Sequence, residues 1–491
     1  MIQYKSTRGG DHLRTAASAV IKGIAEDRGL FVPDSIPALP FRPGEMVGRP
    51  YKEVAKAVIG AFFTDYTEEE IQACVDGAYD EKFEAEDIVP VVGAGDAFFL
   101  ELYHGKTAAF KDMALSILPY LLTTAMKKEK EEKKIAILTA TSGDTGKAAL
   151  EGFADVPGTE IIVFYPSDGV SEVQKRQMTT QEGANTHVFG IRGNFDDAQT
   201  GVKQIFDDEA FNAALEQRGF RLSSANSINI GRLVPQVAYY VYGYIKLIEQ
   251  GVIREGDPVN IVVPTGNFGN ILASYYAGRM GIPVNRFICA SNTNKVLTDF
   301  INTGEYNTGR PFHVTYSPSM DILISSNLER LLYHLSGSPE EVRKMMEKLA
   351  QEGHYSVSGA VREGMKPFWG GFADDEETLE SVRGMYREHG YLMDTHTAVA
   401  YKVYEDYRAE TGDLTPTLLA STASAYKFAS SVNRALEMPE EADGFACVRA
   451  LETETGVKVP SGLKDLDQKA VRHPAVIEKT ALRQAIEDSL K

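Results

Sequence analysis

Through its middle the chain alternates short, wholly apolar runs with segments that carry apolar residues at helical spacing. IAIL (135–138) precedes a glycine-rich turn and an alanine-rich helix, and IIVFY (161–165) precedes SEVQKRQM, a helix capped by Ser171. THVFGI (186–191) precedes FDDAQTGVKQIF, VNIVV (259–263) precedes ILASYYAGRM, and RFICA (286–290) precedes NKVLTDF. Strands without a polar face are buried on both sides, the pattern of parallel strands covered by helices. The alternation predicts an α/β protein with mostly parallel sheets flanked by helices. In such sheets ligands gather at the carboxyl ends of strands, so the loops after these runs are where chemistry is expected.

The flanking regions read differently. Val54, Val58, Ile59 and Phe62 form one apolar helical stripe, and Thr67 with Glu70 forms a capping box. Residues 1–95 are therefore expected to form an N-terminal lobe. Residues 331–390 are charged and helical in pattern with no clear strand, which reads as a helical insertion. The core then comprises 96–330 and 391–438, two subdomains with an active site between them, and 439–491 is a C-terminal segment. KKEKEEKK (127–134) is a charge run expected at a solvated helix end.

Composition removes several function classes. At 491 residues the chain is too long for one core, so two or three domains are expected. A formal charge of −18 disfavours nucleic-acid and anionic-membrane partners. Cys74, Cys289 and Cys447 are far apart and form no CxxC or Cys/His cluster, so neither a disulfide framework nor a metal is expected. MIQYKSTRGG has no apolar signal-peptide region, and no apolar stretch has the length of a bilayer span. A cytoplasmic location is the expectation.

The loop TATSGDTGKAA (139–149) raises the possibility of a nucleotide P-loop. That motif needs a glycine five residues before its Gly-Lys and a Ser or Thr after the lysine; Thr141 and Ala148 stand there instead. What remains is Thr141, Ser142, Gly143, Asp144 and Thr145 turning from a strand into a helix N-terminus. Such a turn suits a carboxylate or phosphate, although a tight turn with an ordinary cap fits it equally. TGNFGN (265–270) is a second strand-to-helix loop. Two glycines allow close backbone approach and Asn267 and Asn270 add donors, which suits a phosphate cradle; the three-glycine dinucleotide spacing is missing. In LLASTASAYKF (418–428) a strand runs into Ser421, Thr422 and Ser424, hydroxyls able to face a ring nitrogen or to cap a helix.

In HGKTAAFKDMALSIL, Phe110, Met113, Ile117, Leu121 and Leu122 have helical spacing, so Lys111 opens a helix that is mostly buried. Desolvation disfavours the ammonium there and makes the amine a better nucleophile and base; the alternative is a lysine that snorkels to the surface. Taken together, a buried lysine can hold an aldehyde cofactor, a glycine loop its phosphate, a hydroxyl its pyridine nitrogen, and a second anion loop an amino-acid carboxylate. That combination describes a pyridoxal 5'-phosphate enzyme.

The motifs HGKTAAFKD, ATSGDTG, NSINIGRLVPQVAYY, GNFGN with its ILASYYAGRMGIP helix, ICASNTNKVLTDF, SPSMDILISSNLERLL and DTHTAVAY are long. Through them the chain resembles the threonine synthase family of fold-type II pyridoxal-phosphate enzymes, from YKSTRG to STASAYKF. The resemblance implies that Lys111 is the catalytic, Schiff-base lysine. It also implies that Gly266, Asn267, Phe268, Gly269 and Asn270 hold the cofactor phosphate and that Thr422 faces the pyridine nitrogen. Thr141, Ser142, Asp144 and Thr145 would receive the substrate carboxylate. The family's substrate, O-phospho-L-homoserine, brings a second phosphate, for which Arg8, Arg232 and Arg330, with Ser326 and Asn327, are the candidates, and Lys106 stands nearby. Bidentate geometry favours the arginines. The implied reaction takes this substrate and water to L-threonine and phosphate by γ-elimination and β-hydration. Two alternatives remain, another lyase of this fold such as a threonine or serine dehydratase, and a non-catalytic relative that binds a phosphorylated ligand. A monomer is expected, with a homodimer open.

Overall fold

The computed structural model of the chain describes residues 1–10, 12–167 and 170–491. A six-stranded sheet has the spatial order Phe368–Phe372, Val284–Ser291, Val259–Pro264, Thr417–Ser421, Ala97–Glu101 and Val91–Ala94. Its strands pair in parallel, except that Val91–Ala94 runs antiparallel to Ala97–Glu101. A second sheet of five strands is parallel throughout, in the order Val476–Glu478, Thr186–Arg192, Thr159–Pro166, Lys134–Ala140 and Phe220–Ser224. The apolar runs read from the sequence are the buried strand centres, with Ile135, Ile161, Ile162, Ile261 and Val262 wholly inaccessible. Burial on both faces is what their lack of a polar face requires.

The longest helix, Ile230–Glu249, is buried at every residue from Ile230 to Leu247. It packs against the helices Tyr51–Phe62, Asp112–Leu115 and Gly269–Met280 and so ties the front of the chain to the helices that follow Lys111 and the 265–270 loop. Local chemistry sets many helix ends. Thr67 accepts from the Glu70 N–H at 3.2 Å while Glu70 accepts from the Thr67 N–H at 2.8 Å, and Ser171 and Gln174 form the same reciprocal cap. Helix Gly269–Met280 stops at Gly281, whose φ of 125° few side chains tolerate. Among the described residues no helix is long and apolar enough to cross a membrane.

Two expectations need correction, and a third gains detail. The stretch 331–390 is not wholly helical: Phe368–Phe372 is an edge strand of the large sheet, paired in parallel with Val284–Ser291. Its sequence, FWGGF, hides this because glycine weakens strand propensity; Gly370 is needed because a Cβ there would lie 3.1 Å from the Thr298 Cα. The first 95 residues, expected as an N-terminal lobe, pack their apolar side onto the rest of the chain. Tyr51 meets Tyr242 edge to face at 5.3 Å and Phe62 stacks on Tyr276 at 5.9 Å, inside one continuous hydrophobic cluster. The helix expected after Lys111 is two pieces, Asp112–Leu115 and Leu118–Glu129. Pro119 carries no N–H to extend the ladder.

Candidate active site

The segment before Lys111 is strapped to the segment after strand Thr417–Ser421. Phe110 N–H donates to Thr422 O at 2.8 Å and Ser424 N–H donates to Ala108 O at 3.0 Å. Lys111 and Thr422 are thereby brought to one cavity at the carboxyl ends of the large sheet. Thr145, Gly266–Asn270, Ser227, Arg232, Gln236 and His396 also line this cavity.

The glycine loop is shaped by close contacts. A Cβ on Gly266 would lie 2.9 Å from Ser319 O, and Phe268 takes a left-handed conformation with φ 63°. Among the described residues the N–H groups of Gly266 to Asn270 donate to no other protein group, as expected at the mouth of a helix N-terminus. Asn270 is fixed by Tyr239 and Tyr240, whose hydroxyls both donate to its Oδ1, while its buried Nδ2 has no protein partner. A loop of unengaged donors around a close backbone approach fits a phosphate.

The Thr141–Thr145 turn is built differently from the expectation. Thr141 Oγ1 accepts from the N–H groups of Gly143 and Gly146, both at 2.9 Å, and so shapes the turn. Thr145 lines the cavity. Asp144 is buried and accepts from Lys427 Nζ at 2.8 Å, Gln174 Nε2 at 2.9 Å and Lys111 Nζ at 3.4 Å. Burial would raise this carboxyl, but Lys427 and then Lys111 hold it far below the usual carboxylate range. An ionised carboxylate does not itself receive a substrate carboxylate, so the Asp144 side chain is the counter-ion of two lysines, and it is its N–H, at the start of helix Asp144–Phe153, that faces a ligand position. Ser142 stands half-buried in the same turn.

Lys111 has its amine value lowered, first by burial; Asp144 opposes this, and Lys427 and Arg232 add to it. Lys111, Lys427 and Arg232 therefore act together here, offset by Asp144 and, behind it, Asp112, an excess of positive charge that suits anionic ligands.

The candidates for the second phosphate separate clearly. Arg8 makes a bidentate pair with Glu329, at 2.9 and 2.8 Å, and lies outside the cavity lining. Arg330 is fully buried and donates to Phe31 O at 2.9 Å, Ile228 O at 2.6 Å, Ser227 O at 3.4 Å and Asn327 Oδ1. Ser326 and Asn327 brace the glycine loop through Asn267, at 3.3 Å and 3.0 Å, instead of lining the cavity. Lys106 is half exposed and pairs with Glu151 at 3.4 Å. Arg232 alone of these lines the cavity. It is 2 % exposed, donates to Ala225 O at 2.9 Å, has an unpartnered Nε and faces no carboxylate among the described residues.

Two buried groups had no role assigned from sequence, of which His396 lines the cavity and Lys427 lies behind Asp144. Lys427 is in STASAYKF, and its burial was not legible from that run. His396, in DTHTAVAY, bonds Asp394 Oδ2 through Nδ1 at 2.7 Å and accepts the Ser319 N–H at Nε2 at 3.0 Å, so both ring nitrogens are engaged.

Comparison with known proteins gives three family matches along the chain. A family described as threonine synthase N terminus matches residues 3–79, pyridoxal-phosphate dependent enzyme matches 84–365, and threonine synthase, C-terminal, matches 397–486. The chain is 39% identical over 438 residues to threonine synthase-like 1 of Homo sapiens, covering 86% of this chain and 58% of that protein. It thus spans less than three-fifths of the length of that relative. It is 35% identical over 468 residues to the threonine synthase of Schizosaccharomyces pombe, covering 89% of each. The crystal structure of PLP-bound threonine synthase from Brucella melitensis superposes with a TM-score of 0.87 at 33% identity over 100% of both chains.

Proposed function

The chain belongs to the threonine synthase family of pyridoxal-phosphate-dependent enzymes, and from that premise we propose that it converts O-phospho-L-homoserine and water to L-threonine and phosphate. Its cofactor is pyridoxal 5'-phosphate. The observation that carries the substrate assignment is Arg232, a buried guanidinium lining the cavity without a carboxylate partner. The glycine loop accounts for one phosphate; Arg232 accounts for a second.

Lys111 would hold the cofactor aldehyde, the N–H groups of Gly266–Asn270 with Asn270 Nδ2 its phosphate, and the Thr422 hydroxyl its ring nitrogen. When bound, the cofactor supplies attachment for the amino group and an electron sink for carbanions at the α and β carbons. Lys111 Nζ, its proton affinity lowered by burial, takes the Cα proton and later returns one. Thr145 and the N–H groups of its turn hold the substrate carboxylate at a helix N-terminus. Arg232 grips the substrate phosphate and stabilises its departure. Thr422 is a neutral hydroxyl and gives the ring nitrogen no proton, which restrains side reactions such as transamination.

The three cysteines are free and buried, which suits a reducing compartment and supports reading the enzyme as cytoplasmic, monomeric with a homodimer open. The test is to incubate the protein with pyridoxal phosphate and O-phospho-L-homoserine and to follow both products. Equal release of threonine and phosphate is expected. Phosphate with 2-oxobutanoate in place of threonine, or turnover of free threonine or serine alone, would make it a different lyase. Lys111→Ala should lose both the cofactor's lysine-bound absorbance and turnover, and retained turnover would remove Lys111 from its role.

A further inference from the structure

Resting on the activity proposed above, we propose that Lys427 is the charge-compensating positioning residue of the substrate-carboxylate turn. It cancels the charge of Asp144 and fixes that carboxylate beside Lys111, so that the turn carries no net negative charge when a carboxylate arrives. The geometry is specific. Lys427 lies in the short 3-10 turn Ala425–Phe428 and is 1 % exposed. Its ammonium gives its protons to Thr107 O at 2.8 Å, Gln177 Oε1 at 3.2 Å and Asp144 Oδ1 at 2.8 Å. Three acceptors use all three donors, so this lysine has none left for a substrate.

Asp144 is divided in a complementary way. Oδ1 is filled by Lys427 and by Gln174 at 2.9 Å, whereas Oδ2 faces only Lys111 at 3.4 Å. A carboxyl that accepts at both oxygens is ionised. Without Lys427 a buried negative charge would stand in the same turn as Thr145, and it would repel the substrate carboxylate. The charged groups around this pair are Lys111, Arg232 and Asp112, which Lys427 also influences. Lys427 therefore acts through Asp144, setting the charge of the turn and the proton affinity of Lys111.

The test uses the cofactor-loaded full chain as wild type, Lys427→Gln, Asp144→Asn and the double variant. Two readouts are followed, KM against kcat for O-phospho-L-homoserine, and the pH midpoint of the lysine-bound cofactor absorbance without substrate. Lys427→Gln should raise KM about tenfold with a smaller change in kcat, and should move the absorbance midpoint upward, because a neighbouring positive charge is gone. Asp144→Asn should move the midpoint downward. The double variant, with both charges removed, should return midpoint and KM towards wild type. An unchanged KM and midpoint in Lys427→Gln would overturn the proposal. So would a double variant no better than its worse single, which is the result for a lysine that only packs. Where Lys427→Gln does not fold, Asp144→Asn against the double variant decides: failure of the added Lys427→Gln to reverse the downward shift overturns it. A wild type without lysine-bound absorbance or turnover would instead overturn the activity reading.

Discussion

Replacing Arg232 by methionine should make the protein more stable and much less active. The guanidinium is 2 % exposed and donates to one carbonyl, Ala225 O at 2.9 Å. Burial lowers its value from 12.5 to about 10. At pH 7, below both values, the charge is present in folded and unfolded chains alike, so the whole desolvation cost falls on the fold. At 1.36 kcal/mol per pH unit that cost is roughly 3 kcal/mol. Methionine removes it, and loses one hydrogen bond worth about 1 kcal/mol. The expected net is a stabilisation of roughly 1–3 kcal/mol in urea unfolding, in keeping with apolar replacement of buried charges. Activity should move the other way. Losing charge-assisted contacts to a substrate phosphate, roughly 3–4 kcal/mol, corresponds to a fall in kcat/KM of about 10²–10³. Arg330→Met is the control: burial lowers its value to about 10 as well, but four acceptors lose their donor, so the same exchange should destabilise the fold by about 1–3 kcal/mol instead of stabilising it. A destabilised Arg232→Met with kcat/KM near wild type would refute the reasoning, because that is how a structural arginine behaves.

Other perturbations test other parts of the site. Gly266→Ala places a Cβ 2.9 Å from Ser319 O, so cofactor affinity, read by absorbance titration, should fall about tenfold; unchanged affinity would mean the loop has slack. Phe at both Tyr239 and Tyr240 removes the donors that fix Asn270, and cofactor affinity should again fall about tenfold while the fold survives. Burial works to raise the Glu151 carboxyl, but Lys147 and then Lys106 hold it at about 2. Its folded value is lowered, so its stabilisation is full above 4.5 and is lost as pH falls towards 2. Glu151→Gln should therefore cost roughly 1–3 kcal/mol at neutral pH, and urea unfolding should show the gap to wild type closing in acid. A gap that does not depend on pH would assign the loss to packing.

Much of the fold was legible because parallel strands buried on both faces write continuous apolar runs, and helix caps such as Thr67 with Glu70 are local chemistry. The edge strand Phe368–Phe372 was missed because its Gly370 answers to Thr298, a distant neighbour, and not to strand propensity. The same limit applied in the site. By itself the sequence determined the alternation, the two strand-to-helix anion loops, a lysine opening a buried helix, and the hydroxyls after strand Thr417–Ser421. All of these are read within about a dozen adjacent residues. It did not determine which cation was available. Arg8, Arg232 and Arg330 are chemically identical as letters. Arg8 is taken by Glu329, 321 residues away, and Arg330 by the carbonyl of Phe31, 299 residues away. Lys427 reaches Asp144 across the chain in the same manner. A charge is free or committed according to the acceptors that folding brings within about 3 Å, and only the tertiary structure decides which those are.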